Sequence, residues 1–119
     1  ACTVHVDGEP VMSCLCLVEP LDGVRIATLE GLTEADELHP IQQAFLEKFA
    51  TQCGFCTSGM IMAAKALLDR APDPSREAVI EAISGNVCRC TGYEAIIEAI
   101  LYAAELMRRS ADAAPARAA

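Results

Sequence analysis

Four cysteines of this chain stand where they could do chemistry together. Cys53 and Cys56 lie in the run Gln52-Cys53-Gly54-Phe55-Cys56-Thr57-Ser58-Gly59-Met60, and Cys88 and Cys90 in Asn86-Val87-Cys88-Arg89-Cys90-Thr91-Gly92-Tyr93. Both runs keep the order cysteine, short spacer, cysteine, threonine and then glycine, each ahead of a helix-like stretch. Four thiolates delivered in this way suit one tetrathiolate metal centre. Zinc and a [2Fe-2S] cluster both accept four cysteine sulfurs, and spacing does not separate them. A thioredoxin-type dithiol would use the Cys-x-x-Cys pair alone and leave the tighter Cys-x-Cys pair without a role, and four cysteines that merely fill a core would not need matching positions. A thiolate at a helix start gains from the positive end of the dipole and from N–H groups with no partner inside the helix. Thr57 and Thr91 are expected to cap the two helices beside Cys56 and Cys90.

The elements that must bring these runs together are helical from Pro40 onward. Pro40 suits a first helical position, and Ile41, Ala44, Phe45 and Phe49 recur at helical spacing until Ala50. A second helix is expected from about Thr57 to Arg70, apolar on nearly all sides and therefore central. Asp73-Pro74 opens a third that carries Val79, Ile80 and Ile83, and a fourth follows Thr91-Gly92 with Ile96, Ile97, Ile100, Leu101, Ala104 and Met107 on one face. These helices form two hairpins with the cysteines in the bends, so a four-helix bundle would join both bends at one end. Ahead of Pro40 the pattern is β-like. Thr3 to Val6 alternates, Asp7-Gly8 is a turn signal, Val11-Met12 leads into Ser13 to Val18, and Val24 to Thr28 is a further strand. His5 is expected on the outward face of its strand and His39 at a helix cap.

Composition narrows the class. The 119 residues are 53% hydrophobic with few aromatics, which suits one modest aliphatic core. A formal charge of -8 repels phosphate backbones and anionic membranes, so nucleic acid is an unsuitable partner. Seven cysteines, an odd number gathered in close pairs, point to metal ligation in a reducing, cytoplasmic setting rather than to a secreted disulfide framework. No stretch has the ~18 uncharged apolar residues of a membrane span. The first residues, Ala1 and Cys2 followed at once by a strand, read as if they lay inside a folding unit.

The Gln52-Cys53-Gly54-Phe55-Cys56-Thr57-x-Gly59-Met60 run followed by Gly85-Asn86-Val87-Cys88-Arg89-Cys90-Thr91-Gly92-Tyr93 resembles the iron–sulfur small subunit of the molybdenum hydroxylases, the xanthine dehydrogenase and aldehyde oxidoreductase family. The resemblance extends from Ala1 to about Arg109. It implies an α+β chain in which the remainder of a plant-type ferredoxin-like β region (residues 1–30) and a connector (31–38) precede a four-helix [2Fe-2S]-binding domain (39–109); beyond it, the alanine-rich composition of 110–119 is expected to make a mobile tail. It implies two [2Fe-2S] clusters. The one nearer molybdenum would be held by Cys53, Cys56, Cys88 and Cys90, with Gln52 and Cys90 against the molybdopterin. Ala1-Cys2-Thr3-Val4 and Ser13-Cys14-Leu15 resemble parts of the ferredoxin ligand pattern, which makes Cys2 and Cys14 two ligands of the second cluster and sets the other two upstream of Ala1. Cys16 is left as a small buried side chain.

The function so implied is electron transfer within a multi-subunit oxidoreductase, from molybdopterin on a large subunit through both clusters to FAD on a medium subunit, in a heterotrimer or a dimer of heterotrimers. The chain itself would carry no catalytic residue and no substrate pocket. A zinc-stabilised helical interaction module, or a reductive relative acting on an aromatic thioester, remain the alternatives. Arg89, between two ligands, is expected to tune the cluster beside it, and Phe55, Met60 and Tyr93 to border the seam with the large subunit, with core packing the alternative for Met60.

Overall fold

The computed structural model of the chain describes residues 2–33 and 37–113. Ala1, residues 34–36 of the expected connector and residues 114–119 of the expected tail lie outside them. Strands β1 (Thr3–Val6) and β2 (Glu9–Met12) form a hairpin in which Val4 faces Val11 and His5 faces Pro10. Asp7 (φ 50°) and Gly8 (φ 87°) both take positive φ, which a tight two-residue turn between twisted strands requires. A short β3 (Ile26–Ala27) pairs with the other edge of β1, giving an antiparallel sheet in the order β2-β1-β3.

The expected continuation of β structure through Ser13 is replaced by a 3-10 turn at Ser13–Leu15. Here the Ser13 backbone N–H and hydroxyl both donate to the Cys2 carbonyl, each at 3.0 Å, and Cys16 N–H closes back onto Ser13 O at 3.2 Å. The Ser13 N–H bond continues the β1–β2 register by one more pair, and the Cys16 N–H then closes the turn that ends the ladder.

Four helices follow: α1 (Pro40–Glu47), α2 (Thr57–Arg70), α3 (Arg76–Ile83) and α4 (Glu94–Ala113). His39 caps α1, its Nδ1 accepting from Ile41 N–H at 3.2 Å while Gln42 Oε1 accepts from His39 N–H at 2.9 Å. The helix ends before Phe49, short of the expected Ala50. Phe49 enters the left-handed region (φ 52°), its N–H bonding Leu46 O at 3.2 Å while Ala50 N–H bonds Phe45 O at 2.9 Å. This paired closure satisfies the last carbonyls and turns the chain toward the first cysteine bend. Ser75 caps α3 through Ala78 N–H at 3.2 Å, so that helix starts later than Asp73-Pro74 suggested. α4 continues through Ser110 to Ala113, taking in the first residues of the expected tail.

The core lies among the helices. Ile41, Phe45, Met60, Leu68, Val79, Ile83, Ile96 and Ile100 are all buried, and α4 packs along α1 and α3. Met60 is fully buried, so it belongs to this core and not to an outer seam. α2 touches α1, α3 and α4 on one side and β1 on the other, which accounts for its all-round apolar sequence. No helix among the described residues is long and apolar enough to cross a membrane.

His5 corrects an expectation. Strand alternation puts it opposite Val4 and Val6, but α2 covers the histidine face, leaving His5 5% exposed with Nε2 2.7 Å from Met62 O. A buried imidazole is tolerated because that carbonyl satisfies it. Truncating a fully buried, well-packed side chain such as Ile100 to Ala is expected to cost about 2–5 kcal/mol. The half-exposed Ile80→Ala should stay within about 0.5 kcal/mol. Urea unfolding of the metal-free chain measures both.

Candidate metal centre

The two bends meet. The first, between α1 and α2, carries Cys53 and Cys56 and needs Gly54 in the left-handed region (φ 82°). The second, between α3 and α4, carries Cys88 and Cys90 and leaves through Gly92 (φ 69°) and Tyr93 (φ 69°). All four cysteines line one cavity together with Phe55, Val87 and Arg89. The sulfurs divide into two pairs, each taking one cysteine from each bend. Cys53 and Cys90 Sγ lie 3.4 Å apart, and Cys56 and Cys88 interact with each other. Among the described residues no group of three His, Cys, Asp or Glu side chains is arranged for a single metal ion.

The pairs differ in environment. Cys53 and Cys90 are exposed, whereas Cys56 and Cys88 are 9% and 8% exposed. Burial, and then the Cys88 sulfur, push the Cys56 thiol up to about 11. The expected dipole stabilisation at the start of α2 is therefore outweighed by desolvation. Cys88 is drawn down to about 7, chiefly by the Thr91 hydroxyl at 3.1 Å and the Thr91 N–H at 3.5 Å. Cys53 is lowered by the Phe55 backbone N–H and then by Cys90, whose own thiol is pushed up by the contact.

The expected caps act differently from the sequence reading. Cys56, not Thr57, occupies the cap position of α2 and its side chain makes no cap bond, while Thr57 Oγ1 lies 3.2 Å from Thr51 Oγ1 across the bend. Thr91 serves Cys88 rather than Cys90, and its hydroxyl oxygen accepts from Tyr93 N–H at 3.2 Å. Tyr93 is the positioning residue that sequence reasoning missed. Its hydroxyl accepts from Cys88 N–H at 2.9 Å, fixing the ligand's peptide from the position just before α4, and this bond opposes the cost of about 1–3 kcal/mol for a non-glycine residue at positive φ. The only hint was its place directly after Cys90-Thr91-Gly92.

Phe55, Val87 and Arg89 are exposed around the open side of the cavity, and Gln52, directly before Cys53, is exposed as well. In the β region Cys2 and Cys14 Sγ lie 3.2 Å apart, brought together by the turn after β2. Cys16 points elsewhere, donating to Met12 O at 3.4 Å within a cavity lined by Val4, Val6, Val11 and Ile26.

A tetrahedral metal with sulfur at about 2.3 Å separates neighbouring sulfurs by roughly 3.8 Å. The observed spacing of Cys53 and Cys90 fits two ligands of one metal, and two such pairs fit a binuclear centre with two protein sulfurs on each metal. A [2Fe-2S] cluster is such a centre.

Comparison with known proteins agrees. The family described as "[2Fe-2S] binding domain" matches residues 28–101. The chain is 52% identical over 101 residues to the nicotine 6-hydroxylase small subunit of Paenarthrobacter nicotinovorans, covering 85% of this chain and 61% of that one. It is 52% identical over 105 residues to the nicotinate dehydrogenase small FeS subunit of Eubacterium barkeri, covering 88% of this chain and 67% of the relative. The chain thus spans about three-fifths to two-thirds of these small subunits. Quinoline 2-oxidoreductase from Pseudomonas putida 86 superposes with a TM-score of 0.85 at 48% identity, over 91% of this chain and 68% of that one. The aldehyde oxidoreductase of Desulfovibrio gigas does so with 0.87 at 40% identity, over 92% and 12%. By its paired-sulfur bend, its fold and these likenesses, the chain belongs to the [2Fe-2S]-binding, electron-transfer small subunits of the molybdenum hydroxylases.

Proposed function

We infer that this chain relays electrons from molybdopterin on a large subunit to FAD on another, in a cytoplasmic heterotrimer or dimer of heterotrimers, through two [2Fe-2S] clusters. The observation that carries the reading is the meeting of the two bends, with Cys53 and Cys90 in contact across them at an open, apolar-edged end of the bundle. When bound, each cluster supplies one-electron redox chemistry at iron. Cys53, Cys56, Cys88 and Cys90 hold one cluster within residues 39–109, and Cys2 and Cys14 supply two ligands of the second within residues 1–30, with 31–38 as the connector. The close approach of Cys2 to Cys14, and the inward turn of Cys16, support that division of roles.

The chain's other residues shape the site. Burial of Cys56 and Cys88 keeps water from the inner sulfurs, while exposed Cys90 and Gln52 form the side open to a partner. The Gln52 amide both donates and accepts hydrogen bonds, which suits an amide-like pterin edge. Phe55 and Val87, each 78% exposed, supply apolar contact area for the same partner. Substrate oxidation and its specificity then belong to the large subunit.

The reading is tested on the natural complex by low-temperature EPR after dithionite reduction, with iron and zinc counted. Two [2Fe-2S] signals are expected, and Cys14→Ser should abolish one of them; a colourless, zinc-only protein would overturn the reading. Arg89→Gln should lower the midpoint potential of the nearer cluster, because a cation beside a net-negative group favours its reduced form. An unchanged potential in redox titration would remove that role. In the metal-free chain, iodoacetamide at neutral pH should label exposed Cys53, whose thiol is drawn below its ordinary range, well before buried Cys56 at about 11. Peptide mass spectrometry of a time course gives the order.

A further inference from the structure

The sheet and the helical bundle are joined by polar ties at successive levels. Thr3, adjacent to Cys2, donates its hydroxyl to Asn86 Oδ1 at 3.0 Å, and Asn86 opens the bend that carries Cys88. His5 Nε2 lies 2.7 Å from Met62 O in α2, whose first turn follows Cys56. Further out, Arg70 at the end of α2 pairs with Glu9 at 2.6 Å, both side chains largely exposed. Along β1, His5 lies about 10 Å beyond Cys2 at ~3.3 Å per residue. Along α2, Met62 lies about 9 Å beyond Cys56 at ~1.5 Å per residue. The strand and the helix therefore run in the same sense from their cysteine ends, and the two near-equal offsets bring Cys2 and Cys56 to one end of the interface.

The ties differ in what they can fix. The Arg70–Glu9 pair is a solvent-exposed contact, which holds geometry weakly. Thr3 and Asn86 are half-buried and His5 is buried, so their bonds face little competition from water. Two hydrogen bonds at separate levels resist both sliding and rotation of the sheet on the bundle, where one would act as a pivot.

We propose that the Thr3–Asn86 and His5–Met62 hydrogen bonds form a joint that sets the separation and mutual orientation of the two cluster-bearing units, making Thr3, His5 and Asn86 positioning residues for inter-cluster electron transfer. The proposal rests on the two-cluster reading above. None of the three side chains holds a metal in that reading. They act on the path between clusters, and a change in them moves one ligand set relative to the other without removing a ligand.

The test uses the complete natural complex. When both clusters are reduced, their unpaired spins split each other's EPR lines by an amount that depends steeply on distance and on orientation. Thr3→Val removes only the hydroxyl, Asn86→Ala its partner, and His5→Phe the ring nitrogen. Each is expected to retain four irons' worth of cluster signal, about two per cluster, with a shifted inter-cluster splitting, and the Thr3→Val/His5→Phe double variant should shift it most. Thr3→Ser and His5→Gln, which restore a donor, should recover the wild-type splitting. An unshifted splitting in both the double variant and Asn86→Ala would overturn the joint. Loss of a cluster's own signal in these variants would also overturn it, by making the residues supports of a single ligand loop. A wild-type complex with only one [2Fe-2S] signal would instead overturn the two-cluster reading, and the proposal with it.

Discussion

The structure depends on one constraint: sulfurs from two bends far apart in sequence must stand within contact of one another. A weak S–H to S contact is all that draws two thiols together, and if both ionise they repel. The approach of Cys53 to Cys90 is therefore imposed from behind. α2 and α4 leave the two bends and enter the same core, where Met60, Ile96 and Ile100 are completely buried, so displacing either bend would mean opening that packing. Local bonds then refine what the core imposes. Tyr93 fixes the Cys88 peptide, Thr91 holds the Cys88 sulfur, and the closure at Phe49 directs the chain into the first bend.

The resulting centre is graded from inside to outside. One pair of sulfurs lies against the core, where burial raises Cys56 and a hydroxyl lowers Cys88; the other pair faces solvent beside Phe55, Val87 and Gln52. A centre built for stability alone would gain from covering all four. Exposure of one pair at an apolar edge is what a group needs if it must lie close to something on another chain.

What was legible in the sequence follows the range of the forces involved. Helical periodicity and cysteine spacing are local, and they gave α2 its bounds of Thr57 and Arg70 and brought the cysteines to the bends. The fate of His5 was not legible, because alternation defines two faces of a strand but not which face a distant helix will cover. Thr57 satisfied the residue preference for a cap, yet the bend geometry gave that position to Cys56. The early end of α1 escaped notice because a phenylalanine, not a glycine, takes the left-handed turn, and Tyr93 because its role joins a backbone N–H five residues earlier to a side chain that reads as apolar. Propensity describes residues singly, and each of these outcomes is a relation between two.

The opening of the cavity also bears on the order of events in making the protein. Cys53 and Cys90 are reached from the same side as Phe55 and Val87, so a partner seated on those apolar side chains would close the route by which iron and sulfide arrive. In the proposed assembly, a centre loaded after docking would have no open route, so loading would come first, while Cys53, Cys90, Phe55 and Val87 are still exposed.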